Sequence, residues 1–476
     1  MLKGIWMTVA LGLVSIIVCV SVSEYLGVIN TIAVLVLMTG FIIITILAPH
    51  IFSISRISLV SVLVHSQLIF IVLPSLWLVG SIRSEFASRA TVAASLSLFL
   101  VSASASVVSL GTARKYAKKS AIWDWAQRRG SRIESRITPW ICTVLLGISL
   151  ITVAYYVAVA PFIPLITMIR YFGSSINLLS MRETSFKLLS IPNIARYVIE
   201  WTRSVFWPFL TCIAMARWAV TRKRRQLVAP LILILMGLFI TGATTEKAPV
   251  VYFLLAIILV HVFMQGRLKT KIITIGMSIV PIFPLMVYLF DAISKGAGSP
   301  FMQALINLCH RLLVVPARVA MIHYEVFPQY VDFLCGTSIN CLAQVQGKAL
   351  FPLSNFLYVN FYPWGIPDNP SGYANAVFSS EMWANFGWAG IIVTSLLLGW
   401  FLQVVNIWIW AFKKTPTIVA TYSVMVMSVF SLISTNVTVF LITKGFFILC
   451  LIAWLAGRRN IHNEVRHATT ILSNDT

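Results

Sequence analysis

The chain has 476 residues, 59% of them hydrophobic and only 11% charged, with a mean hydropathy of +0.90. Soluble domains carry about 25% charged residues, so a water-soluble globular fold is excluded and a polytopic membrane protein is indicated. The formal charge of +22 does not point to nucleic acid, because the basic residues sit in short clusters between apolar runs, as membrane topology requires.

Backbone groups in lipid must be satisfied internally, and apolar runs of about twenty residues do so as helices. The sequence therefore predicts an all-α fold, a polytopic membrane helical bundle of about 12 transmembrane helices. The first run, Gly4 to Val22, follows Lys3 and reads as a retained helix rather than a cleaved signal. Further spans are expected at 28–48, 59–80, 91–110, 139–160, 195–216, 227–243, 249–265, 272–290, 386–411, 418–436 and 439–456.

Between the fourth and fifth spans, Gly111 to Thr138 holds Arg114, Lys115, Lys118, Lys119, Arg128, Arg129, Arg132 and Arg136 against Asp124 and Glu134. The positive-inside rule makes this connector cytoplasmic. Alternation then places 161–194, the turn Thr244 to Lys247 and the stretch 291–385 outside, with both termini inside. That placement gathers most of the 36 Lys and Arg, but few of the 14 Asp and Glu, on the cytoplasmic side. Three regions follow: helices over 1–290, one large extracytoplasmic loop with interfacial helices over 291–385, and helices with a cytoplasmic tail over 386–476.

The seven cysteines form no zinc framework, since no CxxC pair occurs. Cys19, Cys142, Cys212 and Cys450 lie in apolar runs and read as small core hydrophobes. Cys335 and Cys341 are near enough in sequence to pair if their loop faces an oxidising compartment. No DxD, P-loop, GxSxG or HExxH is present, so neither a metal nor a cofactor is expected.

What remains is a set of outward charges. Arg196, Glu200 and Arg203 share one helix face and read as a salt-bridge trio. Arg182 lies in the earlier outer loop, Glu246 and Lys247 at the outer mouth of two helices, and Lys444 inside the last span. Pro300 to Phe327 reads as an apolar helix interrupted by Pro316, which lies on or dips into the outer leaflet. Arg311, Arg318 and Glu325 recur in it every seven residues, which places them on one stripe. Gly336 to Ser380 is rich in Gly, Pro and aromatic residues. Its Tyr362, Trp364 and Tyr373 offer faces for sugar rings, as they would for a membrane-interface belt, and Glu381 closes the loop.

Guanidinium groups bind phosphate oxygens in paired hydrogen bonds and stabilise charge on a departing diphosphate. A carboxylate can take the proton from an attacking hydroxyl. The set therefore suits a lipid-linked diphosphate on the outer face, with no nucleotide.

Three stretches carry a family resemblance: HRLLVVPARVAMIHYEVFP from His310 followed by Cys335-Gly336-Thr337-Ser338, EMWANFGWAG from Glu381, and the turn Glu246-Lys247 before an apolar span. With the topology, they resemble the O-antigen polymerase (Wzy-type) family of oligosaccharide repeat unit polymerases in bacterial inner membranes. The resemblance implies block transfer of a growing glycan from undecaprenyl diphosphate to a new lipid-linked unit, by a metal-independent glycosyltransferase. It implies Arg182, Arg311 and Arg318 as diphosphate ligands, Lys247 or Lys444 as assistants, and a chain-length regulator as a partner. Glu381 or Glu325 is the candidate base. An O-antigen ligase, a lipid-linked oligosaccharide flippase and a small-molecule transporter are the rival readings.

Overall fold

The computed structural model describes residues 2–53, 56–115, 124–131, 134, 137–171, 192–266, 274, 276, 278–294, 296, 298–361 and 373–457. Among them the chain is helical, with no strand. The principal helices are α1 (Leu2–Ser21), α2 (Val28–Leu47), α3 (Leu59–Ile82), α4 (Glu85–Thr112), α5 (Thr138–Val159), α6 (Ile194–Thr221) and α7 (Arg224–Gly242). They continue as α8 (Lys247–Gln265), α9 (Ile282–Ser294), α10 (Pro300–Val326), α11 (Phe378–Trp410), α12 (Pro416–Ile433) and α13 (Phe446–Gly457).

Among the described residues, ten helices are long and apolar enough to cross a membrane, and three shorter apolar helices, Ile5–Ser21, Ile282–Ile293 and Phe446–Gly457, accompany them. The spans expected from hydropathy correspond to the three shorter helices and to all the long ones except α10. The protein is thus an all-α, multi-pass membrane bundle. α10 is the helix expected over Pro300–Phe327 within the large loop, and what the sequence did not indicate is that it is long and apolar enough to span.

Prolines shape these helices. Three of them contain a π turn, at Leu68–Val72, Thr202–Phe206 and His310–Val314, and each is followed two residues later by Pro74, Pro208 or Pro316. Proline has no N–H to donate, and its ring crowds the carbonyl four residues back. The ladder relaxes into wider π bonding instead of breaking. In α10 the consequence is specific. The π turn shifts the register between Arg311 and Arg318, so the seven-residue stripe holds only from Arg318 to Glu325, within Val315–Val326.

The chain packs as two units. The first comprises Met1–Ser120, Asn307–Asn406 and Val429–Phe440. Its centre is the parallel pair α4 and α11. Ser395 donates to the Ser97 hydroxyl at 2.9 Å, Gln403 donates to the Ser109 hydroxyl at 2.6 Å, and Gln67 of α3 also donates to Ser97 at 3.3 Å. Small residues let membrane helices approach this closely, and interhelical hydrogen bonds hold them in register. Gly399 lies directly against the Val101 carbonyl, where any Cβ would clash.

The second unit comprises Ala121–Ile306, Ile407–Ser428 and Leu441–Thr476. Helices α6, α7 and α8 pack on one another, with Trp207, Ile240 and Phe253 between them. One end of this unit carries residues 124–131 of the basic connector. There the Lys414 ammonium donates to the carbonyls of Trp125, Ala126 and Arg128 at 2.9, 3.0 and 2.6 Å and lies 4.7 Å from the Trp125 ring centre. All three ammonium protons have carbonyl acceptors, which allows a buried lysine to stay in place.

Candidate functional site

Glu381 sits in the first turn of α11, and α11 kinks at Gly387, whose backbone has φ +60 and ψ −143. The kink separates the short Glu381 segment from the straight run that pairs with α4. The polar loop after α10 is stitched to this segment by backbone bonds, from Leu334 N to Ala384 O and from Cys335 N to Asn385 O, both 2.9 Å. Asn385, fully buried, bolts the joint. Its Oδ1 accepts from Gly336 N at 3.0 Å, while its Nδ2 donates to the Ser338 hydroxyl and to the Glu381 carbonyl, both at 2.8 Å. Tyr324, Phe333 and Trp383 pack beneath it, with Trp383 Nε1 donating to the Phe327 carbonyl at 3.0 Å.

Glu381 is 7% exposed. Its two oxygens are treated differently. Oε1 accepts from Asn436 Nδ2 at 3.0 Å and from the Ser338 hydroxyl at 3.3 Å. Oε2 is buried with no hydrogen-bond partner among the described residues. Asn436 is itself anchored, because its Oδ1 accepts from Val439 N at 2.6 Å and caps the following π turn. The carboxyl is therefore fixed through one oxygen, while the other is buried and unpartnered among the described residues.

The second unit holds a separate ionic cluster. Arg203, 6% exposed, donates to Glu200 at 2.6 Å, to Glu246 at 2.7 Å and to the Thr244 hydroxyl at 2.8 Å. The Glu200–Arg203 pair expected from sequence is present, and Glu246 joins it from the α7–α8 turn. Lys444 is half-buried and close enough to act on the charge of Glu200. Lys247 lies 4.0 Å from the centre of the Tyr288 ring. A cavity of about 40 Å³, lined in part by Thr152, Tyr156, Thr202, Arg203 and Thr244, adjoins the cluster. It has room for roughly three waters and none for a sugar ring.

The remaining expected site residues are spread. Arg311 is exposed, Arg318 and Glu325 are half-buried, and Tyr373 is exposed. Among the described residues no ion pair engages Arg311 or Arg318, and no hydrogen bond joins Glu381 to Arg311, Arg318, Glu325 or Tyr373. Lys247 and Lys444 belong to the second unit, and Glu381, Glu325, Arg311, Arg318 and Tyr373 to the first. Arg182, Tyr362 and Trp364 lie outside the described residues. Cys335 and Cys341 are free, exposed thiols rather than a disulfide. Sequence reasoning missed Ser338, Asn385 and Asn436 as site residues. The available signal was polar amides beside or between apolar runs, where each needs a partner.

No protein-family model matches the chain, and neither a curated protein nor a solved structure does. The family resemblance rests on the quoted motifs and on topology.

Proposed function

We propose that this multi-pass membrane protein polymerises undecaprenyl-diphosphate-linked oligosaccharide repeat units on the outer face of a bacterial inner membrane. The observation that supports it best is the Glu381 carboxyl, fixed at Oε1 and left without a partner at the buried Oε2 beneath a polar loop. A hydroxyl of the incoming repeat unit donates to Oε2 and attacks the anomeric carbon of the growing chain. The anomeric C–O bond to the diphosphate breaks as the new glycosidic bond forms. The hydroxyl proton goes to Glu381, and the lipid diphosphate leaves with the bonding electrons. Arg311 and Arg318, which have no carboxylate partner among the described residues, are the cations left to hold phosphate oxygens. Glu325 is the second carboxylate of this unit and the alternative base. Lys247 and Lys444 are the assisting cations in the second unit. Tyr362, Trp364 and Tyr373 are proposed to stack on sugar rings.

The lipid bilayer and the lipid-linked oligosaccharide are the partners this reading requires, with a chain-length regulator as a further one. The surface glycan of a deletion strain tests it. A polymerase deletion leaves single repeat units on the acceptor, a ligase deletion leaves none, and a flippase deletion traps repeat units on the inner leaflet. The flippase reading draws on one observation, the Arg203 cluster within α6, since ionisable groups at membrane depth mark transport paths as well as structural locks.

A further inference from the structure

We infer that α10, despite its spanning length, does not cross the membrane, and that its exposed first half is a surface for the lipids of the half-bilayer opposite the basic end. The inference stands on chain parity and is independent of the proposed reaction.

Three segments are tied together at the basic end. Gly130 N donates to Met264 O at 2.9 Å, Ser131 N donates to Lys414 O at 2.8 Å, and Lys414 grips the carbonyls of residues 125, 126 and 128. Residues 125–131, 264 and 414 therefore lie on one side of the membrane. Four long helices, α5 to α8, separate residue 131 from residue 264, which returns the chain to its starting side. Among the described residues between 264 and 414 come three principal helices, α9, α10 and α11, besides Asn340–Val345 and Leu353–Phe361, which are too short to cross. An even number must cross, so at least one of the three does not.

Gly276 and α9 lie back along α8. Gly276 packs on Ile258, and Tyr288 meets Lys247, the first residue of α8. Val287 and Phe290 then cluster with Leu165 and Met168, in the connection beyond the far end of α5. This segment crosses. α11 crosses too: from Gly387 to Trp410 it is about 35 Å long at 1.5 Å per residue, and it tracks α4 from Ser97 to Ser109. α10 is the remaining helix. It starts and ends on the far side, because α9 delivers the chain there and the loop after α10 bonds to Ala384 and Asn385 at the head of α11.

The surface of α10 agrees. From Val315 onward it is mostly buried, and its π turn packs across α3. Its first half exposes Phe301, Met302, Leu305, Ile306, Leu312 and Leu313, with Arg311 among them. A run of that kind in water is an aggregation liability. In a half-bilayer the apolar side chains meet acyl chains, and Arg311 snorkels to a phosphate. The occupant we assign is therefore phospholipid.

The test uses full-length protein in intact cells, with Cys309, Cys335 and Cys341 replaced by Ser. Ser299→Cys, Tyr330→Cys and Lys413→Cys are each labelled with a membrane-impermeant maleimide. The expected result is that positions 299 and 330 label alike and position 413 labels oppositely. Position 299 labelling with 413 would overturn the inference. A nitroxide attached through Leu305→Cys in phosphatidylglycerol liposomes reads the occupant. High oxygen and low nickel-chelate accessibility is expected. Exclusion of oxygen, or spin–spin broadening from a second copy, would overturn the lipid assignment.

Discussion

Replacing Arg203 by Met removes the cation from a cluster that holds two carboxylates. Arg203 is 6% exposed, Glu200 25% and Glu246 32% at the side chain. The variant removes the guanidinium that bridges both carboxylates, leaving Lys444 as the cation near Glu200, and leaves the Thr244 hydroxyl without its donor. Breaking a buried pair from one side costs about 3–5 kcal/mol. Because the two glutamates keep partial contact with their surroundings, the expected loss is at the lower end, about 3 kcal/mol. The assay is the midpoint temperature at which purified protein in mild detergent stops eluting as a monodisperse species. Arg203→Met should lower it clearly. A triple variant that also carries Glu200→Gln and Glu246→Gln should recover most of the loss, because neither carboxylate is then left without Arg203. If Arg203→Met matches the wild type, or if the triple variant is worse than the single one, the cluster is not the lock described above.

Further outcomes follow from other contacts. Lys414→Met strands three carbonyls at about 1–3 kcal/mol each, so the same detergent assay should show a drop at least as large as that of Arg203→Met. Asn436→Ala removes one donor from Glu381 Oε1 and the cap on Val439. A hydrogen bond to a charged group contributes about 1.5–3 kcal/mol, or roughly 10- to 100-fold in rate if felt in the transition state. Repeat-unit transfer by membranes should fall by that factor while the protein level holds. Arg311→Ala with Arg318→Ala should leave the protein in the membrane but abolish long glycan chains, which a surface-glycan gel would show.

Hydropathy and charge alone made most of the fold legible. Apolar runs of bilayer length and the basic clusters between them reflect a single strong constraint, the absence of water in the membrane interior. α10 was legible as an apolar helix over Pro300–Phe327, but its polar residues, Gln303, Asn307, His310, Arg311 and Arg318, dilute the hydropathy and hid its spanning length. The π turns were readable only as prolines, since nothing in the sequence says whether a helix will break or widen. At the site, Glu381 stood out as the last carboxylate before a span. Its partners did not, because Ser338 and Asn436 are 43 and 55 residues away and meet it only through packing. The Arg203 cluster was half legible for the same reason. Glu200 is one turn away on the same helix, whereas Glu246 comes from another.

The central claim is that the unpartnered oxygen of Glu381 takes the proton during glycan polymerisation. Glu381→Gln keeps the shape and an acceptor for Asn436 and Ser338 but cannot act as a base, and loss of a general base lowers rates about 10²- to 10⁴-fold. The direct measurement is the surface-glycan ladder of a strain whose sole copy carries Glu381→Gln, with membrane content of the protein checked alongside. The account predicts single repeat units at normal protein levels. A wild-type ladder from that strain would contradict it.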